Sequence, residues 1–210
     1  MYKKMPSIKI FFIAIFCAFL TTSVFAKVSE ITMSNLNKAF RGETNASHRY
    51  ELFAEKADAE GYKQIAKLFR AVSMAESIHR NNHKAVILTL GGKPDVVEYD
   101  AVKVRTTREN LQVPVKGETY EKNVMYPNFI KQAKIDGVPE AVRTFTFSDN
   151  AEKQHEKLFE DALNNFGRNK PADYCINRIT GATYAVNLNS QCPSGKCGSV
   201  EEYIRVKDSE

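Results

Sequence analysis

The sequence predicts an all-α four-helix bundle that is followed by a small β-rich unit. Two long stretches, 34–90 and 107–166, carry apolar residues at helical spacing, and a glycine interrupts each of them near its middle. After Pro171 the composition changes to glycines, β-branched residues and clustered cysteines, which is typical of short strands joined by turns. The chain is therefore expected to form two helical hairpins and a C-terminal appendix.

The first 26 residues have the organisation of a secretory signal peptide. Three lysines lead into an apolar run at 10–20, and Ala26 occupies a small-residue cleavage position. A membrane anchor is the alternative, but this run of 11 residues is short of the roughly 20 that span a bilayer. We therefore expect an exported, periplasmic protein that has no membrane association after cleavage.

The charge of the mature chain excludes one class of partner. Cleavage after Ala26 removes three lysines and no acidic residue, so the formal net charge falls from +5 to +2. Such a chain has no basic footprint for nucleic acid.

The first hairpin is predicted within 34–90, with a turn at Gly61 and a helix end at Gly91. The following stretch, 96–104, alternates like a strand but has no nearby partner, so we expect an extended crossover.

The second hairpin is predicted to begin with Thr107 as an N-cap, and its first helix should run towards Asp136. Pro114 and Pro127 each remove a backbone donor from that helix, which predicts a kink, a bulge or a late start. Its second helix is expected from 137–139 to about Phe166.

A repeat with a constant offset along the chain relates the two hairpins. The repeated pairs are Phe53 and Phe129, Ala57 and Ala133, Gly61 and Gly137, and Phe69 and Phe145. A duplicated helical hairpin explains this pattern. Two hairpins joined by one long crossover give a four-helix bundle of ferritin-like connectivity.

The same offset relates two Glu-x-x-His motifs, Glu76 with His79 and Glu152 with His155. Residues three apart on a helix project from nearly the same face, so both side chains of a motif reach one metal ion. The spacing alone is a weak signal, because two such pairs also arise by chance.

For each motif, a glutamate in the preceding helix strengthens the prediction of a metal site. Glu43 precedes Glu76 and Glu118 precedes Glu152, and the second interval is only one residue longer than the first. One Glu from each of two helices and a Glu-x-x-His from each of the other two make up a bundle-core di-iron site. The alternative is a set of surface glutamates, but on an inward face these groups would be costly to bury without metal. The pattern therefore predicts two iron ions.

Long stretches of the chain resemble rubrerythrins over about 34–166. The resemblance is carried by RGETNASHRYELFAEKADAEGYKQIAKLF, AESIH, ENLQVPVKGETYEKNVMYPNF and AEKQHEKLF. It implies the metal ligands Glu43, Glu76, His79, Glu118, Glu121, Glu152 and His155. It also implies that one iron moves between Glu121 and His79 as the oxidation state changes.

The resemblance assigns further roles around this ligand set. Tyr50 and Tyr126 match tyrosines that hydrogen-bond to ligand carboxylates in that family, which makes them catalytic candidates with Glu121 and His79.

His48 and His83 have no Glu three positions earlier, so we expect ordinary residues of the helix surface there.

The C-terminus resembles a degenerate rubredoxin module, which gives domains at 1–26 (signal peptide), 27–168 (di-iron bundle) and 169–210 (rubredoxin-like unit). Arg178 stands where the second thiolate of the first Cys-x-x-Cys knuckle belongs, and the second knuckle is stretched to CPSGKC. A four-thiolate iron site is therefore expected to be absent. We predict a disulfide between two of Cys175, Cys192 and Cys197, and a three-cysteine metal site completed by Asp173 or water is the alternative.

The resemblance implies a non-haem di-iron peroxidase that reduces hydrogen peroxide to water in oxidative-stress defence. The alternatives are a ferroxidase that oxidises or sequesters ferrous iron without sustained turnover, and a binding protein whose metal site is inert. The resemblance also implies at least a homodimer. The sequence does not identify the electron donor.

Overall fold

The computed structural model describes residues 29–193 and 202–207. The predicted signal peptide and Cys197 lie outside the described residues. The helices are α1 (Glu30–Ala59), α2 (Lys63–Thr89), α3 (Thr107–Tyr120), α4 (Tyr126–Ile135) and α5 (Pro139–Asn164), and a π-helical segment, Glu121–Met125, joins α3 to α4. The strands are β1 (Asp173–Asn177), β2 (Thr183–Val186) and β3 (Tyr203–Val206). Within these residues no helix is both long and apolar enough to cross a bilayer.

Helices α1 and α2 form the predicted first hairpin. Gly61 lies in the turn between them with a φ of 81°, and Gly91 follows α2 with a φ of 75°. Both angles are in the left-handed region that glycine adopts without steric cost. The predicted crossover is confirmed: residues 92–106 contain no helix or strand. The side-chain oxygens of Asn37 and Asn45 on α1 accept hydrogen bonds from the backbone N–H groups of Asp95 and Asp100 in this crossover.

The second hairpin is less regular than the first. Its N-cap is Thr106, which forms a capping box with Glu109, so the predicted cap at Thr107 was one residue late. The expected irregularity is the π-helical segment, which ends two residues before Pro127. The ring of Pro127 supplies no backbone donor, and a π turn accommodates an interruption of the α-helical ladder.

The core of the bundle consists of two apolar clusters with a polar layer between them. Tyr50, Phe53, Phe69 and Phe159 belong to one cluster. The other contains Leu36, Phe40, Ile87, Tyr126 and Phe145. On α1, α2 and α5 the predicted metal ligands lie between the residues of these clusters. The packing thus places the predicted ligands at mid-bundle, between the two clusters.

The C-terminal unit is a three-stranded antiparallel sheet with the strand order β2-β1-β3. A disulfide joins Cys175 on β1 to Cys192, which confirms the predicted pairing of two cysteines. A cross-link over 17 residues stabilises the fold by about 3 kcal/mol. Because both thiols are consumed in this bond, neither is available as a thiolate ligand.

The C-terminal unit packs against the bundle through buried polar contacts. Lys67 on α2 is only 1% exposed, and its ammonium group lies 3.2 Å from an oxygen of Asp173 and 2.9 Å from the carbonyl of Ala172. Arg205 on β3 binds the other oxygen of Asp173 at 2.6 Å. A buried carboxylate between two cations fixes the sheet against α2.

Candidate metal centre

Four helices bring six of the seven predicted ligands together. Each of these six side chains is at most 2% exposed, namely Glu43 on α1, Glu76 and His79 on α2, Glu118 on α3, and Glu152 and His155 on α5. Because residues three apart share a helix face, each Glu-x-x-His motif directs both of its side chains inward.

The ligands form two overlapping groups of four, and in each group the candidate ligand atoms lie within 4.8 Å of one another. One group is Glu43, Glu76, His79 and Glu152, and the other is Glu76, Glu118, Glu152 and His155. Glu76 and Glu152 belong to both groups, so each has the position of a carboxylate that bridges two ions. Each group also has one terminal carboxylate and one imidazole of its own.

Both histidines turn the same ring nitrogen towards the carboxylates. Nδ1 of His79 lies 2.9 Å from Oε2 of Glu76, and Nδ1 of His155 lies 2.9 Å from Oε2 of Glu152. Nδ1 of His155 is also 3.2 Å from Oε1 of Glu76. The Nδ1 atoms are therefore the candidate metal ligands, and the Nε2 atoms point away from the site.

Two tyrosines support the terminal carboxylates, and each does so from the opposite hairpin. Tyr50 on α1 donates a hydrogen bond of 2.7 Å to Glu118 on α3, and Tyr126 on α4 donates one to Glu43 on α1. Burial, followed by the nearby carboxylate charges, raises the pKa of both phenols well above 10.0. Both hydroxyls therefore remain protonated donors. These contacts are the ones that the resemblance implied.

Burial dominates the electrostatics of the site. It raises the pKa of Glu43, Glu118, Glu121 and Glu152 above 4.5, and neighbouring carboxylates raise these values further. Burial also opposes ionisation of Glu76, but the rings of His155 and His79 outweigh it and lower its pKa. For His155, burial acts to lower the pKa, but the charge of Glu76 raises it overall.

The residues fit a pair of divalent cations. Oε2 of Glu118 and Oε1 of Glu152 are buried and have no hydrogen-bond partner. An orphaned carboxylate oxygen in a protein interior is costly unless a cation compensates it. Mixed carboxylate and imidazole ligands suit iron and related transition metals.

Glu121 occupies a different position from the other six residues. It is the first residue of the π-helical segment, is partly buried, and belongs to neither group of four. It follows Glu118 by three residues, about one helical turn, so it lies on the same side of the helix as that ligand. The predicted exchange of an iron between Glu121 and His79 stays a prediction.

His83 was wrongly predicted to lie on the helix surface. It is fully buried, with Nδ1 3.0 Å from the hydroxyl of Thr144 and Nε2 3.3 Å from that of Tyr126. Burial lowers the pKa of His83 to about 3, so the ring is neutral. His83 follows Glu76 by seven residues, which is two helical turns, and this spacing was the signal that placed it on the same face. His48 is partly exposed and stacks on Tyr99.

Comparison with known proteins supports this arrangement. A sequence profile of the rubrerythrin family matches residues 34–163. Rubrerythrin-2 of Clostridium acetobutylicum is 33% identical over 166 residues, which cover 78% of this chain and 90% of that protein. Nigerythrin of Nitratidesulfovibrio vulgaris is 32% identical over 162 residues, which cover 77% of this chain and 80% of that protein.

Solved structures agree with the sequence relatives. The fully reduced, all-ferrous state of nigerythrin superposes with a TM-score of 0.69 at 32% identity, covering 77% of this chain and 80% of that one. A bacterioferritin of Rhodobacter capsulatus matches with a TM-score of 0.62 at 24% identity, over 68% and 89% of the two chains, which supports the ferritin-like fold alone. The chain therefore belongs to the rubrerythrin family, which has a di-iron centre, and its mid-bundle carboxylates and histidines form a cluster able to bind two metal ions.

Proposed function

We propose that this protein reduces hydrogen peroxide to water. The observation that carries the proposal is the asymmetry of the ligand set: Glu121, a further carboxylate, lies one helical turn after Glu118 and outside both groups of four. A simple pair of metal sites needs only the six residues already present in those groups. The seventh carboxylate is available for a change of ligand or for proton transfer during turnover.

The reaction converts hydrogen peroxide, two electrons and two protons into two water molecules. Two ferrous ions held by the two groups would supply one electron each. The protein excludes bulk water, since the six ligands are at most 2% exposed. Tyr50 and Tyr126 hold the terminal carboxylates in place through hydrogen bonds from opposite hairpins. Glu121, whose pKa is raised by burial, is the candidate proton carrier.

Stopped-flow oxidation of the reduced, iron-loaded protein tests this proposal. We expect oxidation by hydrogen peroxide to be much faster than oxidation by oxygen, with one peroxide consumed for every two ferrous ions. A faster reaction with oxygen would contradict the proposal.

A ferroxidase is the second candidate, and the C-terminal disulfide favours it. With Cys175 and Cys192 joined and the exposed Arg178 at a knuckle position, the unit lacks the thiolates for an electron-carrying iron site. Sustained peroxidase turnover then needs an external reductant. Accumulation of many irons per chain under oxygen would favour the ferroxidase, whereas a constant two irons per chain would favour the peroxidase.

We further propose that the protein acts in the periplasm as a homodimer. The signal-like segment at 1–26 and the disulfide both support an oxidising compartment outside the cytoplasm. N-terminal sequencing of the mature protein should begin at Lys27, and light scattering should give twice the chain mass. An uncleaved chain in the cytoplasmic fraction would contradict the assigned location.

A further inference from the structure

The turn between β1 and β2, together with the first residue of β2, lies directly against the metal centre. The backbone carbonyl of Thr180 is 3.0 Å from Nε2 of His79, and the hydroxyl of Thr183 is 3.2 Å from Nε2 of His155. A single four-residue segment thus contacts both ligand histidines, on the side of each ring that faces away from the carboxylates.

These two contacts determine which ring nitrogen carries the proton. A carbonyl only accepts hydrogen bonds, so Nε2 of His79 must be the donor to Thr180. The hydroxyl of Thr183 donates its own proton to the carbonyl of Gly181 at 3.0 Å, so it accepts from Nε2 of His155. With both Nε2 atoms protonated, both Nδ1 atoms present a lone pair to a metal ion.

The turn is held against the bundle by further polar contacts. The side-chain amide of Asn82 on α2 donates to the carbonyl of Ile179 at 2.8 Å. The backbone N–H of Thr183 donates to the side chain of Gln154 on α5 at 2.8 Å. These anchors flank the two histidines, since Asn82 follows His79 by three residues and Gln154 precedes His155. Residues of α2 and α5, the two helices that carry the ligand histidines, therefore hold the turn in place.

Gly181 permits this close approach. A Cβ atom at this position would lie 2.2 Å from Nε2 of His79, and the φ of Gly181 is 72°. Both the space and the backbone conformation therefore require glycine. Any side chain there would move the turn away from the ring or move the ring itself.

We propose that Thr180, Gly181 and Thr183 are positioning residues of the di-iron centre, and that the C-terminal unit is retained to orient its histidines. Outer partners of this kind fix the tautomer and direction of a ligand imidazole, and their loss typically costs about 10- to 100-fold in metal affinity. The proposal assigns the unit a role that needs no thiolate iron site. It rests on the metal centre alone and is independent of the reaction catalysed.

Cobalt titration of the metal-free, full-length protein tests the role of Thr183. We expect Thr183→Val to weaken the binding of one Co²⁺ by about 10- to 100-fold, whereas Thr183→Ser restores it, because only the hydroxyl is needed. Thr146→Val is the matched control, since its hydroxyl bonds to the carbonyl of Val142 within α5, away from the site. The d–d absorption of the bound Co²⁺ should change in Thr183→Val alone.

A second pair of variants keeps the test decisive if Thr183→Val destabilises the sheet. Gly181→Ala introduces strain and a clash with His79, whereas Gly167→Ala introduces the same strain, at a φ of 76°, with no atom within 4 Å. We expect weakened Co²⁺ binding in Gly181→Ala and parental binding in Gly167→Ala. Parental affinity and spectrum in both Thr183→Val and Gly181→Ala would overturn the proposal, whatever the protein's peroxidase activity.

Discussion

The two hairpins repeat one pattern of ligands and tyrosines, but only the second contains a π-helical segment. In the first hairpin, Tyr50 follows Glu43 by seven residues along the uninterrupted helix α1. In the second, Tyr126 follows Glu118 by eight residues, and the π-helical segment lies between them. A π turn absorbs one extra residue in a helix. One inserted residue thus leaves Glu118 and Tyr126 in the same relation to the site as Glu43 and Tyr50 in the first hairpin. The second hairpin has Glu121 as an additional carboxylate.

The comparison shows that each hairpin supplies one carboxylate shared by both groups, whereas only the second supplies a further one. Glu76 and Glu152 each belong to both groups of four, whereas Glu121 has no acidic counterpart in the first hairpin. Metal binding should therefore depend on both halves equally, and reactivity should depend on the second half more.

The largest expected effect tests the equivalence of the two halves. Glu76→Ala and Glu152→Ala should each abolish tight binding at both metal positions, with losses above about 100-fold, because each removes a ligand shared by both groups. Cobalt or ferrous titration measures the loss. Glu160→Ala, on α5 and outside both groups, is the control. Retention of one tight site in either variant would show that the two carboxylates do not bridge.

The next effect is confined to the second half. Glu121→Gln should lower the rate of oxidation by peroxide by about 100-fold, the lower end of what a positioned acid–base group contributes, while two ions still bind. Stopped-flow absorbance and metal analysis of the same sample measure both quantities. An unchanged peroxide rate would make the extra carboxylate irrelevant to turnover.

Much of this comparison was visible in the sequence. The constant offset between the hairpins, the two Glu-x-x-His motifs and the nearly equal intervals from Glu43 to Glu76 and from Glu118 to Glu152 predicted the helices and the ligand set. The longer second interval already contained the inserted residue, but the sequence did not show where the helix would absorb it. That location depends on Pro127 and on which side chains must face the site.

The contacts of the C-terminal unit could not be predicted in the same way. Thr180 lies 101 residues after His79, and no periodicity links a turn to a helix at that distance. His83 was misjudged for a different reason. A glutamate three positions earlier identifies a metal motif, whereas the seven-residue distance of His83 from Glu76 decides its helix face, which is the inward one.

A smaller, pH-dependent effect follows from the raised pKa values. Burial raises the pKa of Glu43, Glu118 and Glu152, so each loses its proton at a higher pH than a free carboxyl group, and a metal ion must displace any proton that remains. The apparent affinity should rise with pH, by about tenfold per unit for each proton released. In the metal-free protein these groups contribute stability below their unfolded pKa, and this stability is lost as the pH rises through the folded values. Cobalt titrations between pH 6 and 8 measure the slope, and a flat profile would contradict the assignment.

The smallest effect compares the two tyrosines. Tyr50→Phe and Tyr126→Phe each remove a donor to a buried carboxylate, which should cost about 1 to 2 kcal/mol of unfolding free energy. The loss should be larger for Tyr126, because its hydroxyl also contacts Nε2 of the buried His83 at 3.3 Å, whereas Tyr50 has no such neighbour among the described contacts. Denaturant unfolding of the metal-free protein measures both values, with Tyr184→Phe on the exposed face of β2 as the control. Equal losses would mean that the contact with His83 does not stabilise Tyr126. The position of His83 in the polar layer would then be a matter of packing alone.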